Sequence, residues 1–403
     1  MIVPRLLSAT LLATCAALVA TSAPAQKRYA PGVSDTEIRF GQTMPYSGPA
    51  SAYGTIGRVE AAYFQMINEQ GGINGRKLTL LSLDDNYSPP KTLEQTRRLI
   101  EQENVAFLFQ SLGTPTGVVV REYINEREVP QLFQASGATL WGDSQHFPWS
   151  IGWQPNYQTE GAIYGRYLRE TKPEARIAVL YQNDDAGRDY FAGFKAGLGS
   201  EATQKMIVAV QTYEVSDPTL DSQIVNLRSS GANVLFDNST PKFAAMAIRK
   251  VYDIGWQPTH FLMSVAASVS AVLKPAGFDK SQGLISAQYL KDPNDAQWKA
   301  DKGINDWLAF MRKYYPKGNV ADSFNVYGYS AAQTLVQVLT QCGDDLSREN
   351  IMKQAANLNM DLPLLLPGIT LHTTPTDFFP IKQMRLAHFE GEQWVLFGDV
   401  IGQ

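Results

Sequence analysis

The sequence predicts an α/β fold of two doubly wound parallel-sheet lobes. Three observations carry that reading. Short, near-continuous apolar runs recur along the chain, amphipathic segments of helical period lie between them, and the alternation comes in two series. Apolar runs of that kind belong to parallel strands covered on both faces, and alternating βα units build them. An aromatic seam at 147–157, FPWSIGWQPNY, separates the two series.

In the first series the strand-like runs are IRFGQTM (38–44), KLTLLSLDD (77–85), VAFLFQ (105–110) and VPQLF (129–133). In the second they are ARIAVLY (175–181), MIVAVQTY (206–213), ANVLFDN (232–238) and THFLM (259–263). Helices are predicted at 57–70, 88–104, 160–171 and 240–255, where apolar residues recur every three or four positions. The C-terminal third differs. It offers two helical segments, 294–316 and 323–341, then the proline-rich LPLLLPG (362–368) and a hairpin over 384–400 turning at Glu390-Gly391. Those two helices have no sheet of their own to cover, so they are expected to return to the first lobe. The expected division is 36–155 plus 289–365 for lobe 1 and 156–288 plus 366–403 for lobe 2, with a ligand cleft between the sheets.

Residues 1–25 are expected to be a cleaved secretory signal peptide. Arg5 is their single charge, an apolar stretch runs from Leu6 to Ala20, and Ala23-Pro24-Ala25 supplies an A-x-A site. Leu12-Ala13-Thr14-Cys15 is a loose lipidation pattern, but Thr14 suits it poorly and the apolar run continues past the cysteine. Without the leader the chain carries 34 Lys+Arg (35 less Arg5) against 39 Asp+Glu, a net charge of about −5. No basic block stands out, which argues against nucleic acid and anionic membrane surfaces as partners. Cys342 is the one cysteine left, so no internal disulfide is expected.

Tests for chemistry return little. No phosphate-binding G-x-x-x-x-G-K-[ST], no G-x-G-x-x-G after a strand, no G-x-S-x-G and no H-E-x-x-H occurs. The four histidines, His146, His260, His372 and His388, stand far apart, and none has metal-ligand spacing. The glycines of GFKAGLG (193–199) are expected to mark the end of a helix. No catalytic residue, cofactor or metal is expected. What recurs is small, hydroxylated loops at the carboxyl ends of strands, where open α/β sheets bind ligands. They are Pro45-Tyr46-Ser47-Gly48-Pro49, Ser111 to Thr116, Ala135-Ser136-Gly137-Ala138, Asn183-Asp184-Asp185-Ala186-Gly187, Asn238-Ser239-Thr240 and Ser264-Val265-Ala266-Ala267. Each alone reads as an ordinary turn or helix cap; Thr114 before Pro115 caps a helix with no ligand at all. The signal is the set.

SGPASAYG (47–54), INEQGGINGRKLTLLSLDDNYSP (67–89), VPQLFQASGAT (129–139) and IAVLYQNDDAGRDY (177–190) together resemble extracytoplasmic solute-binding proteins of the branched-chain amino acid type, the type I periplasmic binding proteins of ABC importers. The resemblance implies two lobes joined by three crossovers that close on a ligand. It implies that Thr114, Thr116, Ala135, Ser136 and Gly137 hold a ligand carboxylate, that Tyr53 packs on the ligand, and that Tyr327 does so from the hinge side. Tyr46, Trp153, Asp185, Asn238, Ser239 and Ala266 complete the expected site. Two departures bear on the ligand. The loop Met263 to Ser268 has no acid to meet an ammonium, with Asp184, Asp185 and Asp237 as candidate substitutes, and Ala186 leaves space where an aromatic is usual. Burying an unpaired ammonium costs several kcal/mol. The preferred ligand is therefore an aromatic or other organic acid without an α-amino group, bulkier than leucine, with Trp141, Trp149, Trp153 and Tyr157 as stacking candidates for a ring. The alternatives are an amino acid or amide, a ligand-sensing domain docking a signalling partner, or a hydrolase working in the cleft. The expected partners are a small molecule and a membrane permease, with the protein a periplasmic monomer.

Overall fold

The computed structural model describes residues 27–402. The expected leader, 1–25, lies outside the described residues. Five strands form the first sheet: β1 (Glu37–Met44), β2 (Lys77–Asp84), β3 (Leu108–Phe109), β4 (Gln131–Gln134) and β5 (Ser150–Gly152). Their order is β2-β1-β3-β4-β5, all parallel. Helices α1 (Gly54–Glu69), α2 (Pro89–Arg97) and α3 (Thr114–Glu126) join them.

The second sheet contains β6 (Ile177–Gln182), β7 (Ile207–Tyr213), β8 (Val234–Asn238), β9 (Thr259–Leu262), β10 (Ile285–Gln288), β11 (Gln383–Glu390) and β12 (Gln393–Gly402). Its order is β12-β11-β10-β9-β8-β6-β7; β6 to β10 are parallel, and the last two strands add an antiparallel hairpin to one edge. The hairpin turns at Gly391-Glu392, one residue later than expected, because Gly391 takes the positive φ of +63°. Helices α4 (Tyr157–Thr171), α5 (Asp185–Leu198), α6 (Asp221–Ser229) and α7 (Pro241–Asp253) cover this sheet.

The glycines of 193–199 do more than end a helix. Gly199 does end α5, at φ +82°. Gly193 and Gly197 lie inside it, and a Cβ at either would sit 2.1–2.2 Å from a carbonyl of α4; Gly161 and Gly165 of α4 face α5 backbone at 2.3 Å in return. Four bare Cα positions thus bring two helices into backbone contact, a demand that outweighs the helix cost of glycine, about 1 kcal/mol each.

The C-terminal third supplies α8 (Lys302–Tyr314) and α9 (Ser323–Cys342). The first is shorter than predicted. Asp292, Asp295 and Asp301 each accept a backbone N–H two or three residues on, from Asn294, Gln297 and Ile304, so 294–301 forms turns and α8 starts at the Asp301 cap. Helix α9 packs on α1 of the first lobe: Thr55 bonds Asn325 at 2.9 Å, and a Cβ at Gly328 would meet Val59 at 2.5 Å. The chain then returns through β11 to the second sheet. It passes between the lobes after β5, after β10 and before β11, and two of these passages pair through Lys291 N–H to Leu364 O (2.8 Å) and Leu366 N–H to Tyr289 O (2.9 Å). Cys342 is buried and, among the described residues, unpaired.

Candidate ligand-binding cleft

The carboxyl ends of both sheets face one cavity of about 90 Å³. The lobes meet across it: Tyr53 Oη donates to the Val265 carbonyl at 3.0 Å, and Ser268 Oγ donates to Asp322 at 2.8 Å.

On the first-lobe side the wall is Leu112, Gly113 and Thr114 at the start of α3, with Ala135 from the next strand end. Gly113 enters the helix at φ +106°, ψ 155°, and no side chain caps it. The Thr114 and Thr116 N–H groups therefore have no carbonyl one turn earlier to bond, and they add to the positive end of the helix. A helix start of this kind, its first N–H groups without intrahelical partners, is chemically suited to an anion.

Aromatic rings form much of the rest of the wall. Tyr53, Tyr87, Tyr157, Tyr190, Tyr289 and Tyr327 all line the cavity, and Tyr157 and Tyr190 stack with centroids 4.2 Å apart. Burial raises all six phenols; Tyr157 reaches about 12, partly offset by the Gly137 N–H and Ser136 hydroxyl beside it. These are neutral donors at physiological pH. Tyr327 donates to Gln154 (3.0 Å) and Gln154 to Tyr157 (3.2 Å), which fixes that part of the wall.

The acids near the second-lobe wall are mostly committed elsewhere. Glu160 lies behind the 264–268 loop, where it accepts from Ser264 N–H (2.6 Å), Ser264 Oγ (2.7 Å), Tyr164 and Tyr190. Burial holds its pKa above the ordinary carboxylate range. Asp184 caps α5 through Gly187 N–H and takes Gln182 Nε2. Asp237 bonds Ser239 and His260, the latter at 3.0 Å, with all three buried and outside the cavity wall. Because the aspartate stands between serine and histidine, no imidazole faces that hydroxyl, and the trio lacks the serine–histidine pairing of an activated nucleophile. Asp292, at the second interlobe passage, does line the cavity; burial pushes it up to about 6. Neighbouring Lys291 gives its ammonium to Asp301 (2.7 Å) and the Pro363 carbonyl.

Of the expected site residues, Tyr53, Thr114, Ala135, Ala186, Asn238 and Tyr327 line the cavity. The other eight stand outside its wall, for identifiable reasons. Ser136 sits behind Thr114, hydroxyl to hydroxyl at 2.7 Å. Thr116 turns its hydroxyl back to the Leu112 carbonyl. Gly137 backs the Tyr157 ring, which a Cβ would meet at 2.7 Å. Trp153 bonds Thr334 (3.0 Å) and packs edge-on to Tyr327. Tyr46 bonds Ser82 (2.6 Å) under Arg58. Asp185 is exposed and paired with Arg188 (2.7 Å). Ser239 is held by Asp237, and Ala266 is buried in the turn 264–266. Trp141 and Trp149 are also off the wall: Trp141 is wholly buried beneath Arg121, and Trp149 is half-buried. Sequence reasoning missed Tyr87, Gln182, Gln288 and Tyr289. Each lies at or just past the carboxyl end of a strand, so the logic that found the small-residue loops applied to them too. Gln154, two residues past β5, falls under the same rule; Tyr190 and Asp292 carried no comparable signal.

A two-lobed cleft lined by neutral donors and rings is a binding device, and comparison with known proteins fits that geometry. The sequence profile of periplasmic binding proteins matches residues 37–393. The chain belongs to the periplasmic binding protein family. Periplasmic binding proteins are extracytoplasmic solute binders without catalytic function. A Leu/Ile/Val-binding protein homolog of Brucella abortus is 22% identical over 325 residues, covering 79% of this chain and 82% of that protein. Three solved structures share the fold. The branched-chain amino acid ABC transporter protein from Thermus thermophilus with bound valine has TM-score 0.81 and 16% identity, over 92% of this chain and 98% of that one. The fatty acid ABC transporter substrate-binding protein from Thermomonospora curvata has TM-score 0.80 and 20% identity, over 94% and 95%. The R. palustris solute-binding protein in complex with benzoate has TM-score 0.75 and 20% identity, over 91% and 98%. Among the described residues, no helix of this periplasmic binding protein is long and apolar enough to cross a membrane.

Proposed function

We propose that this protein is the solute-binding component of an ABC importer and that it captures a small aromatic carboxylate between its lobes for delivery to a membrane permease. The observation that carries the ligand class is the wall itself. Six tyrosines and the uncapped start of α3 suit a planar anion, and the acids expected to meet an ammonium, Asp184, Asp185 and Asp237, are engaged by other protein groups, as is Glu160 behind the 264–268 loop. The carboxylate is held by the α3 N–H groups and the Thr114 hydroxyl, and the ring stacks between phenols. Lobe closure is favoured because the ligand touches both sides only in the closed form. The benzoate complex of the R. palustris structure supports this reading; the valine complex of the T. thermophilus structure supports the alternative.

One observation favours that alternative. Asp292 lines the cavity with Asn294 as its hydrogen-bonding partner, and an amino-acid ammonium beside it would gain an ion pair. Titration calorimetry separates the two readings. Benzoate or cinnamate binding at micromolar affinity, with leucine and valine silent, is the expected result. Leucine or valine binding with no response to the aromatic acids would sink the aromatic reading.

A further inference from the structure

The hydrogen-bond inventory of the cavity wall leaves two gaps, both on the second lobe. The enclosed polar atoms of lining residues are nearly all partnered. Gln182 Oε1 accepts from Tyr213 and Thr240, Ser264 and Tyr190 bond Glu160, and Tyr53 bonds Val265. Among the described residues, two enclosed atoms of lining side chains have no partner: Asn238 Oδ1, an acceptor, and Gln288 Nε2, a donor. The orientation of the Asn238 amide is set by its surroundings, because its Nδ2 donates to the Gly187 carbonyl at 3.3 Å and the oxygen must face the other way. Asn238 is 1% exposed, so water outside the cleft does not reach it.

Unpaired enclosed polar atoms are rare in folded proteins, and a gap at a cavity wall is a place for a ligand atom. Asn238 ends β8 and Gln288 ends β10, with β9 between them in the sheet. That separation is two strand spacings, about 9–10 Å between backbones. Both side chains line the same cavity from either side of β9, and one small ligand group between them would answer both gaps. That group must donate to Asn238 and accept from Gln288. A hydroxyl does both while staying neutral. An ammonium donates without accepting.

Resting on the aromatic-carboxylate reading above, we infer that the ligand carries a hydroxyl at the end opposite its carboxylate, and that Asn238 and Gln288 read that hydroxyl. The ligand class is then a hydroxylated aromatic acid, oriented with its anion at α3 and its phenol at the second lobe. Asn238 and Gln288 set specificity by penalty: an acid lacking the hydroxyl closes the cleft over an unpaired carbonyl and an unpaired amide N–H.

The test titrates benzoate, 4-hydroxybenzoate, cinnamate and 4-hydroxycinnamate into the wild-type protein, Asn238→Leu and Gln288→Met. For whichever pair fits the cavity length, the hydroxylated acid binds the wild type at least tenfold more tightly than its parent. In Asn238→Leu that ratio falls to within threefold of one. Gln288→Met lowers the ratio as well, and it carries the test if the leucine variant does not fold. A wild-type ratio near one, or a ratio that neither substitution moves, overturns the inference and leaves the aromatic-acid reading intact. If none of the four acids binds and leucine does, the aromatic-acid reading falls, and this inference falls with it.

Discussion

Replacing Gly113 by alanine tests the first-lobe end of the cleft most directly. Gly113 sits at φ +106°, ψ 155°, a region that only glycine occupies freely. Forcing a side chain there costs of order 1–3 kcal/mol in strain. The new Cβ would also lie 2.5 Å from Thr116 Oγ1 and 2.5 Å from the Tyr87 ring, where ordinary contact begins near 3.4 Å. Both neighbours must move by nearly 1 Å, and one of them is a ring of the cavity wall. The backbone cannot yield instead. Gly113 N–H bonds Ala135 O (3.1 Å), and its carbonyl accepts from Gln134 (2.8 Å) and from Gly117 N–H (3.2 Å). The expected loss is at least tenfold in affinity for the best-binding acid, or about 1.4 kcal/mol, together with a lowered melting temperature. Gly71→Ala is the control. Gly71 has a nearly identical φ of +103°, but a methyl added there would meet nothing within 4 Å, and the residue lies beyond α1, away from the cavity. It should lower stability and leave affinity alone. Calorimetric titration and thermal melts on both variants decide the matter. Equal affinity in the two variants would refute the assignment of the α3 start to the ligand.

Three further outcomes are expected. Replacing Thr114 and Ser136 together by alanine removes the paired hydroxyls at the cavity edge and should weaken acid binding at least tenfold without unfolding the protein; an unchanged dissociation constant removes the carboxylate site. Tyr53→Phe deletes the interlobe bond to Val265, a contact worth about 0.5–1.5 kcal/mol, so ligand release measured by stopped flow should speed roughly two- to twelvefold. Equal release rates would show that this bond does not hold the lobes shut. Burial pushes the Asp322 carboxyl up to about 6 from 3.8, so the folded protein binds that proton more tightly than the unfolded chain does. Its contribution to stability therefore falls as pH rises through the window between those values. Asp322→Asn keeps an acceptor for Ser268 and Phe324 N–H but cannot ionise. The variant should gain on the wild type in melting temperature from pH 4 to pH 7, and a constant difference between the two would contradict the burial argument.

Much of this site was legible because a strand end in an α/β lobe announces itself locally. The loop after Phe109 reads as small and hydroxylated from sequence alone, and its place at a strand–helix junction follows from hydrophobic period. The same rule covered Tyr87 and Tyr289, but aromatic residues past a strand read equally well as core, and nothing local separates the two. Ser136 and Gly137 illustrate the opposite limit. Their residue types suit a ligand, yet one supports Thr114 and the other backs Tyr157, a division of labour set by which atom stands one layer closer to the cavity. The Asp292–Asp301 turns shortened a predicted helix because three carboxylates took backbone N–H groups that the helix would have used.

The sequence by itself determined the two α/β series, the seam between them, the absence of a catalytic motif and the strand-end loops, because period and turn chemistry act over a few residues. Tertiary structure decided which side chains share the cavity. Asn238 and Gln288 are 50 positions apart in sequence, and Tyr53 meets Val265 across 212. Their meeting depends on sheet order and on how the lobes close, and neither is encoded in any short stretch. The unpaired oxygen of Asn238 exists only as a consequence of that assembly, since in the open chain water would satisfy it.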